Sequence, residues 1–229
     1  MCSSDLSDLS ASAFPFAHGA EIRIAGAASP VRALRVTYVG ELGWELHGPA
    51  GSMAAVWSAL MEAGKDEGIG PAGNYAINAL RIEKAYRAWG HELSVDETPF
   101  EAGLGFAIDW DREFLAKAHL LELRGRPLRK RLVSLVMPCD DPTVTLWGNE
   151  PVFRDGLLAG YTPSAAYSPT LSAPVAMAYI KRPSEQAELG VDTAWLEAGR
   201  YEILQDGVRY PARMTLRAPV DPGRERILR

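Results

Sequence analysis

Near residue 125 the hydrophobic rhythm of the chain changes, and the two sides of that change require different architectures. Before it, apolar residues recur at helical spacing. Met53, Val56, Trp57, Leu60 and Met61 stand at i, i+3, i+4, i+7 and i+8, which predicts an amphipathic helix over residues 52–63 with Ser52 as N-cap and Gly64 as its stop. Pro71, whose fixed φ suits a first helical position, opens a second predicted helix running to about Tyr86. There Ala76, Ala79, Leu80 and Glu83 share one face, while Asn74, Asn78 and Arg81 form a polar stripe that either faces solvent or lines a site. Residues 112–123 read as a third helix. Period-two alternation predicts strand at 21–25, a strand pair within 33–45 broken by Gly40 and Gly43, and strand character at 104–110. After residue 125 only short β-prone runs remain, at 133–136, 152–153, 175–180, 201–204 and 209–216. Turn residues separate them, the pattern of a small antiparallel barrel or sandwich.

Bulk properties exclude several classes. The 229 residues are 47% hydrophobic and 23% charged, which is globular composition. A net charge of -5 provides no attraction toward nucleic acid, and the basic run RGRPLRKR at 124–131 reads as a solvated linker. Cys2 and Cys139 lie in no CxxC and beside no spaced His pair, so neither a disulfide scaffold nor a metal site is expected. The Ser-rich start lacks the basic and apolar regions of a secretory signal, and residues 1–13 read as a frayed or non-native leader. No apolar run approaches the roughly 18 residues of a membrane span.

One cluster suggests chemistry. Tyr38, Gly40, Glu41, Gly43, Trp44 and Glu45 set two carboxylates and two aromatics around two glycines. A carboxylate flanked by aromatic faces suits a flat, donor-rich heterocycle, which it grips by two N–H bonds while the ring stacks, with Tyr38 as a candidate wall. Taken by itself, a tight hairpin around one buried Trp is the better account. His47 and His91 have no nucleophile or metal partner at a useful spacing.

Three longer blocks follow in order: YVGELGWELHGP, then IGPAGNYAINALRIEKAYRAWGHELSVDETPFEAGLGFAIDWDREFLAKAHLL, then GYTPSAAYSPTLSAPVAMAYI. Together they resemble the tetrahydrofolate-dependent aminomethyltransferase family, which includes the T-protein of the glycine cleavage system. They are similar also to the folate-binding regions of dimethylglycine and sarcosine dehydrogenases, and that branch looks closer. The resemblance spans residues 14–219. It implies an α+β chain: part of the middle lobe of a three-lobed fold over residues 14–124, then a small antiparallel C-terminal β-barrel over 125–229. It assigns Glu45 to the pterin edge, Glu41 as a second acid, Arg81 of LRIE to holding folate, and Trp89 and Trp110 to lining the ligand. The region from Ser164 to Ser168 follows a block that is structural in the family. The family's catalytic aspartate belongs to a first lobe expected to precede residue 14, so no catalytic residue is assigned here. One departure stands out: the family's FxGK reads FLAK at 114–117, where Ala116 would crowd a close backbone approach.

The implied function is capture of a formaldehyde-level carbon by tetrahydrofolate, giving 5,10-methylene-tetrahydrofolate. The partners implied are folate itself and either a lipoyl carrier protein or an upstream flavin domain that would hold FAD. No nucleic acid, membrane or metal partner is expected. The location would be cytoplasmic in a bacterium or the mitochondrial matrix in a eukaryote. The alternative is a non-catalytic interaction module like the regulatory subunit of pyruvate dehydrogenase phosphatase.

Overall fold

Val31 and Ala33 alternate with Arg32 along one strand, and both are completely buried while Arg32 is exposed. This one-sided burial centres a three-stranded antiparallel sheet of β1 (Gly19–Ile22), β2 (Val31–Leu34) and β3 (Glu45–His47), in the order β1-β2-β3. Phe14, Ile22 and Val56 complete its core, with Trp44, Leu46 and Met53 packed against them. The computed structural model describes residues 8–141 and 143–228; Cys2 and residues 1–7 of the expected leader lie outside the described residues. The chain divides into two compact units, one within Met1–Ile77 and Gly223–Arg229, the other Asn78–Pro222.

The first unit departs from the periodicity in several places. The strand pair expected within 33–45 shrinks to β2 and β3, and residues 35–44 form the connection. Thr37 Oγ1 accepts the backbone N–H groups of Val39, Gly40 and Glu41 at 3.2, 3.0 and 3.3 Å, a local turn that competes with a strand ladder. Gly40 supports that turn with φ of 71°. Helix α1 (Ala50–Ala63) begins two residues before the expected cap. Pro49 takes the N-cap position with φ of -57°, and no side chain caps the helix. The expected stop at Gly64 is observed. Of the apolar face of α1 only Val56 is buried; Trp57 is 55% exposed and Leu60 38%.

Helix α2 (Asn74–Glu83) starts three residues after Pro71 and ends at Glu83, where Ala85 takes a left-handed φ of 54°. Its C-terminal end, from Asn78, belongs to the second unit. Ile82 and Ala85 join Leu132, Val136, Val175 and Met177 in one cluster. The strand expected over 104–110 is absent. Gly105–Ala107 is a short 3-10 turn instead, and Trp110 stacks on Phe100 with ring centroids 6.4 Å apart. Helix α3 (Lys117–Leu123) is shorter than expected, because Phe114 turns onto Trp110, leaving residues 112–116 outside the helix.

The second unit contains a closed antiparallel barrel, which decides between barrel and sandwich. Its strands are β4 (Arg131–Val136), β5 (Pro151–Arg154), β6 (Leu157–Ser168), β7 (Ala173–Ile180), β8 (Tyr201–Gln205) and β9 (Val208–Thr215), in the order β4-β7-β6-β5-β8-β9. Pairing of β9 with β4, Ser134 opposite Thr215, closes the ring. Leu135, Val152, Ala176, Ile180 and Ile203 fill the interior. Helix α4 (Thr193–Ala198) is capped by Asp192, whose side chain accepts from Trp195 N–H at 2.8 Å. No helix among the described residues is long and apolar enough to cross a membrane.

Candidate functional site

Arg81 sits in the last turn of α2 and is 2% exposed. A buried guanidinium must replace its water, and this one does so with four hydrogen bonds. Nε donates to Asn78 Oδ1 at 2.8 Å, Nη1 to the Tyr86 carbonyl and to Glu92 Oε2 at 2.9 Å each, and Nη2 to Ser164 Oγ at 2.7 Å. The polar stripe of α2 therefore turns inward at Arg81. Glu92 is fully buried, and its Oε2 also accepts the Ala88 N–H at 2.9 Å. Tyr179 donates its hydroxyl to the Glu92 carbonyl at 2.7 Å, and burial holds that phenol well above its usual pKa, so it remains a donor. The pair and its partners thus brace the loop from Arg87 to Leu93. Gly90 turns that loop at φ of 84°, and the Trp89 side chain is 72% exposed on it.

Two residues along, Glu83 is also completely buried. It accepts hydrogen bonds from Ser168 Oγ, Thr170 Oγ1 and the Thr170 N–H. Ser164 and Ser168, four residues apart on β6, therefore both anchor the end of α2. Trp110 is half-buried. It stacks on Phe100 at an interplanar angle of 6° and carries the Arg124 guanidinium 4.8 Å from its ring centre. Ala116 has φ of -97°, so the FLAK departure imposes no left-handed backbone. The basic run is occupied within the chain: Arg129 pairs with Glu101 at 3.0 Å and Lys130 with Glu97 at 2.7 Å.

In the first unit, Glu45 lies on β3 with its carboxylate half exposed, and its Oε2 is 3.4 Å from His47 Nε2. Tyr38 is 40% exposed. Glu41 pairs with Arg226 at 2.9 Å. Trp44 packs half-buried against the core, with the Arg35 guanidinium 5.9 Å from its ring centre. The expected residues thus divide evenly: Tyr38, Glu41 and Glu45 on the first unit, Arg81, Trp89 and Trp110 on the second.

One further exposed indole lies outside the expected set. Trp147 is 74% exposed, and the tetrad Trp147-Gly148-Asn149-Glu150 repeats the W-G-x-E of Trp89-Gly90-His91-Glu92. The repeat is visible in the sequence, but at four residues it is too short to draw attention without its folded setting.

Family comparisons agree with this architecture. The model of the GCVT N-terminal domain matches residues 3–112, and that of the glycine cleavage T-protein C-terminal barrel domain matches residues 130–221. The chain belongs to the glycine cleavage T-protein family. Mitochondrial sarcosine dehydrogenase of Mus musculus is 38% identical over 222 residues, 96% of this chain and 23% of that protein. Mitochondrial dimethylglycine dehydrogenase of Rattus norvegicus is 40% identical over 207 residues, 90% of this chain and 22% of that protein. The mitochondrial pyruvate dehydrogenase phosphatase regulatory subunit of Mus musculus is 34% identical over 197 residues, 83% and 22% of the two chains. The chain therefore spans less than a quarter of the length of these relatives. The fold is that of the glycine cleavage system aminomethyltransferase T from Bartonella henselae, with a TM-score of 0.69 at 22% identity over 89% of this chain and 52% of that one.

Proposed function

We propose that this chain is the folate-binding portion of a one-carbon transfer enzyme that forms 5,10-methylene-tetrahydrofolate. Residues 14–124 carry the folate contacts and 125–229 form the barrel. The carrying observation is the state of Trp89: an indole largely in water, on a loop whose backbone is held by a buried Arg81–Glu92 pair. Leaving a Trp in water forgoes its burial energy, and bracing the loop beneath it makes sense for a stacking surface prepared in advance. Arg81 contributes by positioning that loop, since its guanidinium is already bonded to protein groups. Glu45 supplies the pterin-edge carboxylate, with Glu41 and Tyr38 beside it in sequence, and Trp110 lines the ligand.

Tetrahydrofolate is the group implied. Exposed aromatic and carboxylate side chains fit a flat ring bearing N–H donors. When bound, folate supplies the amine that accepts the one-carbon unit. The carbon would arrive either as an aminomethyl group on a lipoyl carrier or as an imine made by a flavin domain. This chain's residues bind and orient the acceptor, turning a bimolecular encounter into a local one.

Calorimetric titration with 5-formyltetrahydrofolate, a stable reduced folate, tests the reading. Wild-type chain should bind, and Glu45→Ala and Trp89→Ala should each weaken binding by roughly tenfold or more. Binding unchanged in both variants would refute the assignments. The relative named as a phosphatase regulatory subunit supports a second reading, an interaction module with an unused pocket. Absence of reduced-folate binding to the wild-type chain would favour it.

A further inference from the structure

The two W-G-x-E tetrads have the same local construction. In each, the glycine is left-handed, with φ of 84° at Gly90 and 106° at Gly148. In each, the glutamate is buried and its carboxylate accepts backbone N–H groups of its own loop. Glu92 Oε2 takes Ala88 N–H at 2.9 Å; Glu150 Oε1 takes Trp147 N–H at 2.6 Å and Gly148 N–H at 2.9 Å. In each, the tryptophan is more than 70% exposed. Both loops also root in one place, the irregularity between Tyr161 and Ser164 of β6. His91 Nδ1 lies 3.4 Å from the Pro163 carbonyl oxygen. Asn149 N–H donates to the Thr162 carbonyl, and Glu150 N–H donates to Thr162 Oγ1 at 3.0 Å. Pro163, having no N–H, breaks the β6 ladder there and leaves its neighbours' polar groups to the two loops.

We infer that Trp147 is a second stacking residue of the ligand site, paired with Trp89 on the β6 irregularity, and that the two take a flat conjugated ring. This rests on the folate reading, within which the rings are the pterin and the aminobenzoyl group. An indole left in water on a flexible loop would need no explanation. Two indoles left in water, each on a backbone held by its own buried carboxylate and joined to adjacent residues of β6, Pro163 and Thr162, are surfaces prepared for stacking. Base-on-indole stacking is tolerant of ring identity and contributes enough that removing one indole weakens binding about 5- to 100-fold.

The experiment titrates wild-type chain, Trp147→Ala, Trp147→Phe and, as a control on α1, Trp57→Ala with 5-formyltetrahydrofolate and, separately, with p-aminobenzoylglutamate. Calorimetry and indole fluorescence quenching are both read. Trp147→Ala should bind at least about fivefold more weakly, Trp147→Phe should recover to within about twofold, and Trp57→Ala should match wild type. The thermal midpoint of Trp147→Ala should equal that of wild type, which a residue needed only for packing would not allow. Unchanged reduced-folate affinity in Trp147→Ala overturns the inference and leaves the folate reading standing. Ring binding that depends on Trp147 with p-aminobenzoylglutamate, but no binding of 5-formyltetrahydrofolate, removes the folate reading and supports the stacking pair. Failure of the wild-type chain to bind either probe overturns both.

Discussion

A guanidinium withdrawn from water needs its hydration replaced bond for bond, and Arg81 obtains this from Asn78, Tyr86, Glu92 and Ser164. Removing it strands the buried Glu92 carboxylate, one oxygen of which already has no partner among the described residues. Arg81→Ala should therefore lower stability by about 3–5 kcal/mol, read from the urea midpoint. Glu45→Ala, at a half-exposed carboxylate, should change stability by no more than about 0.5 kcal/mol while weakening folate binding. A result reversed between these two variants would mean that the inward and outward roles assigned here are wrong. Residue types and order were legible at this scale. Burial was not: LRIE does not reveal that its Arg and Glu both point inward, because that depends on Ser164, Ser168 and Thr170, some 85 residues away.

Among the elements, β6 is the instructive case. The five β-prone runs all correspond to strands, but this twelve-residue strand was missed, because LLAGYTPSAAYS carries Gly, Pro, Ser and Ala where β-branched residues usually signal a strand. Its glycine is required by a close approach: a Cβ at Gly160 would sit inside the van der Waals envelope of the Tyr179 carbonyl oxygen on β7. Gly160→Ala should destabilise the barrel by about 3 kcal/mol, with lowered thermal midpoint and increased amide exchange across β6 and β7. The contact of residues 94–101 with residues 129–131 carries a pH dependence. Burial would raise the Glu101 carboxyl, but the Arg129 and Thr98 hydrogen bonds outweigh it and hold it below its usual value; Glu97 is likewise held down, by Lys130 and Ser94. Depressed carboxylates contribute stability above their unfolded pKa, about 4.3. That contribution is lost as pH falls through the lower folded values. The thermal midpoint should thus fall on acidification below about pH 4.5, and Glu101→Gln should flatten that slope.

At the scale of the whole molecule, a ligand that binds only the folded chain raises its stability by mass action. With 5-formyltetrahydrofolate at a hundredfold excess over its dissociation constant, unfolding should cost about 2.7 kcal/mol more, seen as a raised thermal midpoint. No shift at that excess would contradict the proposed function. The change of rhythm near residue 125 precedes the first barrel strand, β4, although three strands lie before it and α4 lies after it. Closure of the strands into a barrel was not legible in the sequence. It requires β9 to meet β4 across some 80 residues, a pairing that no local pattern encodes.

The sequence by itself determined the family, the α+β class and the barrel strands rich in β-branched residues, because those depend on ordered motifs and on periodicity within a few residues. Only the tertiary structure decided that Arg81 is a buried brace and that Trp89 and Trp147 stand in matching loops on one irregular strand. Each of those outcomes is set by which distant groups replace lost water, and that is a property of the folded surroundings rather than of the local chain.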